Sequence, residues 1–328
     1  MYLALILAGL ATLSICLMAR PLANKLRVMD VPDGDRKRHK APTPLIGGLA
    51  ITLPMLGAGI FLSSNSSLAG IYIALSISVA GAFLIGFADD RYDLSPTLRL
   101  FLSFLLCLGV LSNDPSLILG ILHFTFENSL SLGRWAWPFT LLSVIGFIYA
   151  FNMTDGIDGL AIGQALVWSI LLLILGNNEL SWYLIILSVV LAVTLWFNLT
   201  KKLFLGDSGA YALSIIFCVM MIHGHSTVPE LKSDIIFVWL LIPVLDCLRL
   251  ILTRIARQVS PLAPDNNHLH HYLSVLVPSV LVVPMMLVFI ACGGILTILL
   301  PDQTIVWLAV SIAVYFAVIG AAARKRRA

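Results

Sequence analysis

Long apolar runs alternate with short polar patches along this chain. Eleven runs approach the length of about 20 mostly apolar residues that a membrane-crossing helix needs: 2–19, 44–62, 68–88, 97–113, 133–151, 159–176, 181–199, 208–224, 235–251, 276–299 and 304–321. The stretch 113–132 interrupts the series. Its I-L-G-I-L-H-F-T-F run is short and broken, so it reads as an outer loop or a re-entrant or interfacial piece, and counting it as a span would reverse everything after it. The pattern predicts an all-α, polytopic integral membrane protein of about 11 transmembrane helices, forming a single domain over 1–328.

Composition and charge sharpen this picture. The chain is 59% hydrophobic and 11% charged, whereas soluble domains carry about a quarter charged residues, so a water-soluble protein is excluded. The first run lacks a basic start and a small-residue cleavage site, and reads as a retained span. The five cysteines fall in apolar runs without disulfide or zinc spacing, as small hydrophobes would. With eleven spans, the connections 20–43, 89–96, 152–158, 200–207 and 252–275 share one side. All but Arg134 and Lys232 of the 20 lysines and arginines lie there or at its edge. The positive-inside rule makes that side cytoplasmic, with the amino terminus periplasmic and the carboxyl terminus cytoplasmic. No folded basic domain presents charge to nucleic acid.

The same side collects the residues that could carry chemistry, and acids at a membrane mark function by default. Asp89 and Asp90 end a span in G-F-A-D-D. Adjacent carboxylates repel, and a divalent cation or a transferable proton relieves them; a solvated helix end balanced by Arg91 explains the same letters. Asn152, Asp155 and Asp158 stand three apart, which a helix would place on one face. Their oxygens suit Mg²⁺, and a hydrophilic turn is the plainer account. Asp207, in F-L-G-D-S-G, either adds a carboxylate to this face or, with Ser208, caps the next helix. His268, His270 and His271 form H-x-H-H beside Arg249, Arg254 and Arg257, a phosphate-binding loop or a polybasic surface loop. The first loop carries Arg36 to Lys40 and suits anionic lipid or substrate phosphate equally. Carboxylates, an asparagine and basic loops together fit metal-assisted phosphoryl transfer between a soluble donor and a lipid acceptor. A transporter of an anionic solute would hold its acids near mid-membrane, and a scaffold would need none of them.

Five motifs occur in order: D-x-P-D-x-R-x-x-H…P-x-x-G-G (Asp30 to Gly48), G-F-x-D-D (Gly86 to Asp90), N-x-x-D-G-x-D-G-L (Asn152 to Leu160), F-x-G-D-x-G (Phe204 to Gly209) and H-x-H-H (His268 to His271). Carrying them, the sequence resembles the polyprenyl-phosphate N-acetylhexosamine-1-phosphate transferases of the bacterial inner membrane. The resemblance implies that undecaprenyl phosphate attacks a UDP-amino sugar, releasing UMP and leaving a lipid-diphosphate sugar that starts an envelope glycan. It implies Mg²⁺, with Mn²⁺ as a substitute, and is compatible with a homodimer. Asp89 would deprotonate or position the lipid phosphate, with Asp90 supporting it near the metal. Asp207 would be the main metal ligand and Asn152 a second. Asp155 would organise the diphosphate. Asp158, Phe204 and Asn198 would form the uridine end. The histidines, with Arg254, Lys40 and His39, would contact phosphate or sugar. In this resemblance H-x-H-H leans toward UDP-GlcNAc, with UDP-GalNAc, a UDP-6-deoxy-N-acetylhexosamine or UDP-MurNAc-pentapeptide as other donors.

Overall fold

The computed structural model describes residues 1–32, 41–126, 128–176, 180–260 and 267–327. In chain order the helices are α1 (Tyr2–Leu17), α2 (Ala19–Leu26), α3 (Gly47–Ser63), α4 (Ala69–Tyr92), α5 (Pro96–Asn113), α6 (Ala136–Asn152), α7 (Leu160–Ile174), α8 (Ser181–Leu199), α9 (Gly206–Thr227), α10 (Ser233–Trp239), α11 (Leu241–Ala256), α12 (Leu269–Leu276), α13 (Ser279–Leu299) and α14 (Thr304–Arg327). Two short hairpins interrupt them, β1 (Met29–Asp30) with β2 (Thr43–Pro44) and β3 (Ile121–His123) with β4 (Ser129–Ser131), both antiparallel.

The protein is an all-α, polytopic membrane protein. Each of the eleven expected runs falls on a helix, but fewer are long enough to cross. By length and composition seven described helices qualify, or nine if each of two bent pairs is one span. The pairs α1–α2 and α10–α11 bend by 71° and 74°, at Met18 and Leu240. Sequence periodicity cannot see the bend at Leu240, because α10 and most of α11 read as one apolar run; at Met18 the apolar run ends and the polar arm A-R-P-L-A-N-K-L turns away. The other two expected spans, α3 and α7, reach only 17 and 15 residues. In α3 the reason is visible: Thr43 and Pro44 are drawn into a hairpin and Leu45 bridges Phe204, so the helix starts only at Gly47. The segment 113–132 is no span. Its described residues fold as one 3₁₀ turn (Pro115–Leu117) and the β3–β4 hairpin.

The core is centred on α9, with 94% of its most apolar window inside the protein, against 17% for α5 and α14. Apolar side chains on those outer helices face outward because lipid, not water, surrounds them. Four cysteines are buried as expected, while Cys292 is exposed on α13. Small residues let α9 sit at the centre, as close helix packing in membranes requires. A Cβ on Gly86 of α4 would stand 2.3 Å from the carbonyl oxygen of Asp207, so α4 and α9 meet backbone to backbone where the acids gather.

Candidate active site

Three local structures converge at one end of α9. The first is the turn between α4 and α5. Asp93, in the left-handed conformation, ends α4. Ser95 Oγ accepts the Leu98 amide, and Pro96 opens α5. The turn wraps Asp89: its Oδ1 accepts the Leu94 N–H at 2.9 Å, and its Oδ2 pairs with Arg99 Nη1 at 2.5 Å. Arg99, in the first turn of α5, also lies 3.5 Å from Asp207. The cation that balances this acid is therefore Arg99. Arg91, the sequence candidate, lies over the Tyr92 ring. The signal for Arg99 was the S-P helix start, which folds the next turn back over the aspartates.

The second is the start of α9. Asp90 accepts the amides of Asp207 at 2.8 Å and Ser208 at 3.0 Å. It caps a helix 117 residues away, supplying the acceptors that helix N-termini lack. Asp90 was expected near the metal; both of its oxygens are engaged in holding α9, which makes it a positioning group. Gly206 precedes Asp207 with φ +74°, and a Cβ there would also lie 2.7 Å from Asp90 Oδ2, so backbone conformation and space both require glycine. Phe204 N–H donates to Pro44, and Phe204 and Leu205 carbonyls accept from Gly47 and Gly48, seating F-x-G-D against P-x-x-G-G.

The third is the histidine segment. Asp246, buried on α11, accepts from His268 Nδ1 at 3.1 Å, from the Leu269 amide at 3.2 Å, from Arg249 at 2.7 Å and from Tyr315 OH at 2.7 Å. Arg249 also bonds the Asn267 carbonyl and Tyr315. Sequence reading offered Arg249 as charge for phosphate, but it is absorbed in this clamp, and Asp246 was missed because it looks like an isolated acid in an apolar run. The three imidazoles pack together, with centroids 4.1 Å apart for His270 and His271. Burial, then the neighbouring His271 and His268, hold His270 neutral, with its pKa down to about 3.

These pieces line one cavity of about 1300 Å³. It brings together Asp89, Asp90, Asn152, Asp155, Asp158, Asn198, Phe204, Asp207, His268, His270 and His271 with Asp30 of the first motif, and adds Asp93, Lys201 and Arg326, which the sequence reading left out. N-x-x-D-x-x-D forms turns, not a helix: Asn152 ends α6 and Asp155 and Asp158 follow in the loop. Asp155 is held well above the usual carboxylate range by burial, then by Asp90 and Asp158, while the Gly206 amide opposes this. Asn198 was expected at the uridine end. Its Oδ1 accepts the Gly159 amide at 2.6 Å and its Nδ2 donates to the Leu203 carbonyl at 3.1 Å, so it ties two loops together. Arg254 is buried on α11 and is not in the cavity wall. Lys40 and His39 lie outside the described residues.

The wall fits a hard cation. Asn152 Oδ1 is buried without a hydrogen-bond partner, and the Asp207 carboxylate shares the same cavity. Among the described residues no three of His, Cys, Asp or Glu stand close enough to hold a metal by themselves. Mg²⁺ needs no such cage, since one or two carboxylates plus substrate phosphates commonly hold it.

The profile of glycosyl transferase family 4 matches residues 72–225. A probable undecaprenyl-phosphate N-acetylglucosaminyl 1-phosphate transferase of Bacillus subtilis is 30% identical over 281 residues, 82% of this chain and 76% of its own. The chain belongs to glycosyl transferase family 4. Undecaprenyl-phosphate alpha-N-acetylglucosaminyl 1-phosphate transferases of Yersinia pestis (27% identity; 81% of this chain, 75% of the relative) and Escherichia coli K12 (29%; 77% and 71%) are also similar. The matched stretch runs from α4 to the end of α9 and so includes the Asp89–Asp90, Asn152–Asp158 and Asp207 elements of this family 4 protein.

Proposed function

We propose that this protein transfers N-acetylglucosamine 1-phosphate from UDP-GlcNAc to undecaprenyl phosphate, releasing UMP and starting an envelope glycan such as O-antigen. The observation that carries the reading is one cavity that gathers residues of all five motifs: Asp30, the Asp89–Asp90 pair, Asn152 with Asp155 and Asp158, Phe204 with Asp207, and the three histidines. The donor follows the names of the relatives and the H-x-H-H pattern. The chain crosses the bacterial inner membrane eleven times, bent pairs and short helices included, with the cavity facing the cytoplasm, where UDP-sugars are soluble.

An oxygen of the lipid phosphate bonds to the β-phosphorus of the donor; the bond from that phosphorus to the bridging oxygen breaks, and UMP leaves with the electron pair. Asp207 and Asn152 would hold Mg²⁺, or Mn²⁺ in its place, which when bound neutralises the diphosphate and the charge developing on UMP. Asp89, expected to deprotonate or position the lipid phosphate, fixes Arg99 beside Asp207 and so takes the positioning role. Asp155, with its raised pKa, is suited to take a proton from the lipid phosphate near neutral pH. His268, oriented by Asp246, donates to donor phosphate or sugar, and Phe204 stacks on uracil with Asp158 at the ribose side.

The test is UMP release and lipid-diphosphate sugar formation by purified protein with undecaprenyl phosphate, Mg²⁺ and a panel of UDP-amino sugars. Product from UDP-GlcNAc, abolished by EDTA and restored by Mg²⁺, is expected. Product only from UDP-GalNAc, a 6-deoxy sugar or UDP-MurNAc-pentapeptide would replace the donor. Absence of product from every donor, in folded protein, would end the transferase reading.

A further inference from the structure

The cavity is lined by seven aspartates: Asp30, Asp89, Asp90, Asp93, Asp155, Asp158 and Asp207. Among the described lining residues only Lys201 and Arg326 carry fixed positive charge. A diphosphate entering such a wall needs every cation available, because unpaired like charges at close range repel strongly. Arg326 comes from the far end of the chain. It is carried by α14, whose buried residues Thr304, Ser311, Tyr315 and Ala322 form one stripe. Eleven residues separate Tyr315 from Arg326, which leaves them within about 20° of each other on an α-helix. The stripe thus grips the histidine segment twice. Tyr315 bonds Asp246 and Arg249 at depth, and Arg326 at the edge donates to the His271 carbonyl at 3.2 Å and lies 4.5 Å over the Tyr272 ring. A guanidinium has five N–H donors in a planar fork. One contact to a carbonyl and one stacked face leave donors to meet a phosphate.

We propose that Arg326 is a donor-binding residue that contacts the diphosphate of the nucleotide sugar, delivered to the site by the α14 stripe. The soluble donor is favoured over the lipid phosphate because Arg326 is exposed at the cavity rim, where a water-borne ligand enters. The inference rests on the transferase reading above.

The test compares wild type with Arg326→Ala, Arg326→Gln and Arg326→Lys in full-length protein in detergent, reading donor KM, lipid-acceptor KM, kcat and the melting shift produced by UMP. In the Ala and Gln variants donor KM should rise on the order of tenfold, as loss of a charge-assisted hydrogen bond implies. The UMP shift should shrink with it, acceptor KM should hold, and Lys should recover part of the loss. Gln is the discriminating variant, since it keeps a donor for the His271 carbonyl but no charge. Wild-type donor KM and UMP shift in Gln would reduce Arg326 to a brace and overturn the proposal. A rise confined to acceptor KM would also overturn it, giving the contact to the lipid phosphate. If wild type turns over no donor, the transferase reading fails on its own, and the UMP melting shift in the variants still decides whether Arg326 holds a nucleotide phosphate.

Discussion

Two ends of this bundle bury acids, and they treat them oppositely. At the β3–β4 end, Asp234 of α10 accepts the Thr125 amide with both oxygens and the Thr125 hydroxyl with one. Beside it His225 places one ring nitrogen 2.9 Å from the Leu231 carbonyl and the other 3.2 Å from the Ile121 carbonyl. These polar groups are spent on fastening a hairpin to α9 and α10. At the cavity end, Asn152 Oδ1 and His270 Nε2 are buried without hydrogen-bond partners, and Asp155 is crowded by other carboxylates. A saturated buried carboxylate is a fastener. A cluster left short of partners and of cations has room for a ligand that completes it.

The largest effect should separate the two ends outright. Asp207→Asn should lower turnover by roughly 10³-fold while the protein stays folded, since it removes charge where the reaction develops it. Asp234→Ala should do the reverse: turnover measured below the melting transition changes by less than about twofold, while stability falls by about 2–3 kcal/mol from the unpaired Thr125 groups. Lost turnover in folded Asp234→Ala protein would break the distinction.

A smaller effect concerns Asp155. Its folded-state pKa is raised, so its charged form is disfavoured in the fold. Its contribution to stability is complete below the ordinary carboxylate pKa and is lost as pH rises through the raised value. At neutral pH, Asp155→Asn should therefore raise the melting temperature while lowering turnover, a trade typical of functional groups. Thermal melts alongside UMP assays check it, and a destabilised variant would contradict it.

The smallest effect is the pH dependence carried by His270. Its pKa falls from 6.5 to about 3 on folding. The unfolded chain then binds a proton that the folded protein refuses, so its contribution is present above about pH 6.5 and is lost as pH falls toward 3. His270→Gln should narrow the difference in melting temperature between pH 7 and pH 5 relative to wild type. An unchanged difference would place the acid sensitivity elsewhere, among the carboxylates.

Much of this was legible in the letters. An apolar run reports its own helix, because hydrophobicity and helical hydrogen bonding are both local properties of a chain in lipid. The positions of the runs, the exclusion of 113–132 and the clustering of Asp89, Asp90, Asn152, Asp155, Asp158, Asp207 and the histidines in one place were all readable on that ground. The bend at Leu240 was not, since nothing in the composition distinguishes two short apolar arms from one long one.

Which group neutralises which was decided only by packing. Asp90 caps α9 from 117 positions away, Asp246 orients His268 from 22 away, and Arg326 reaches His271 from 55 away. The same residue types spell a metal ligand, a helix cap or a salt-bridge partner. The sequence by itself determined that acids and cations would meet at a membrane boundary, because burying them in lipid costs too much elsewhere. Only the tertiary structure assigned their roles, because a charge acts over a few ångströms of space and has no knowledge of distance along the chain.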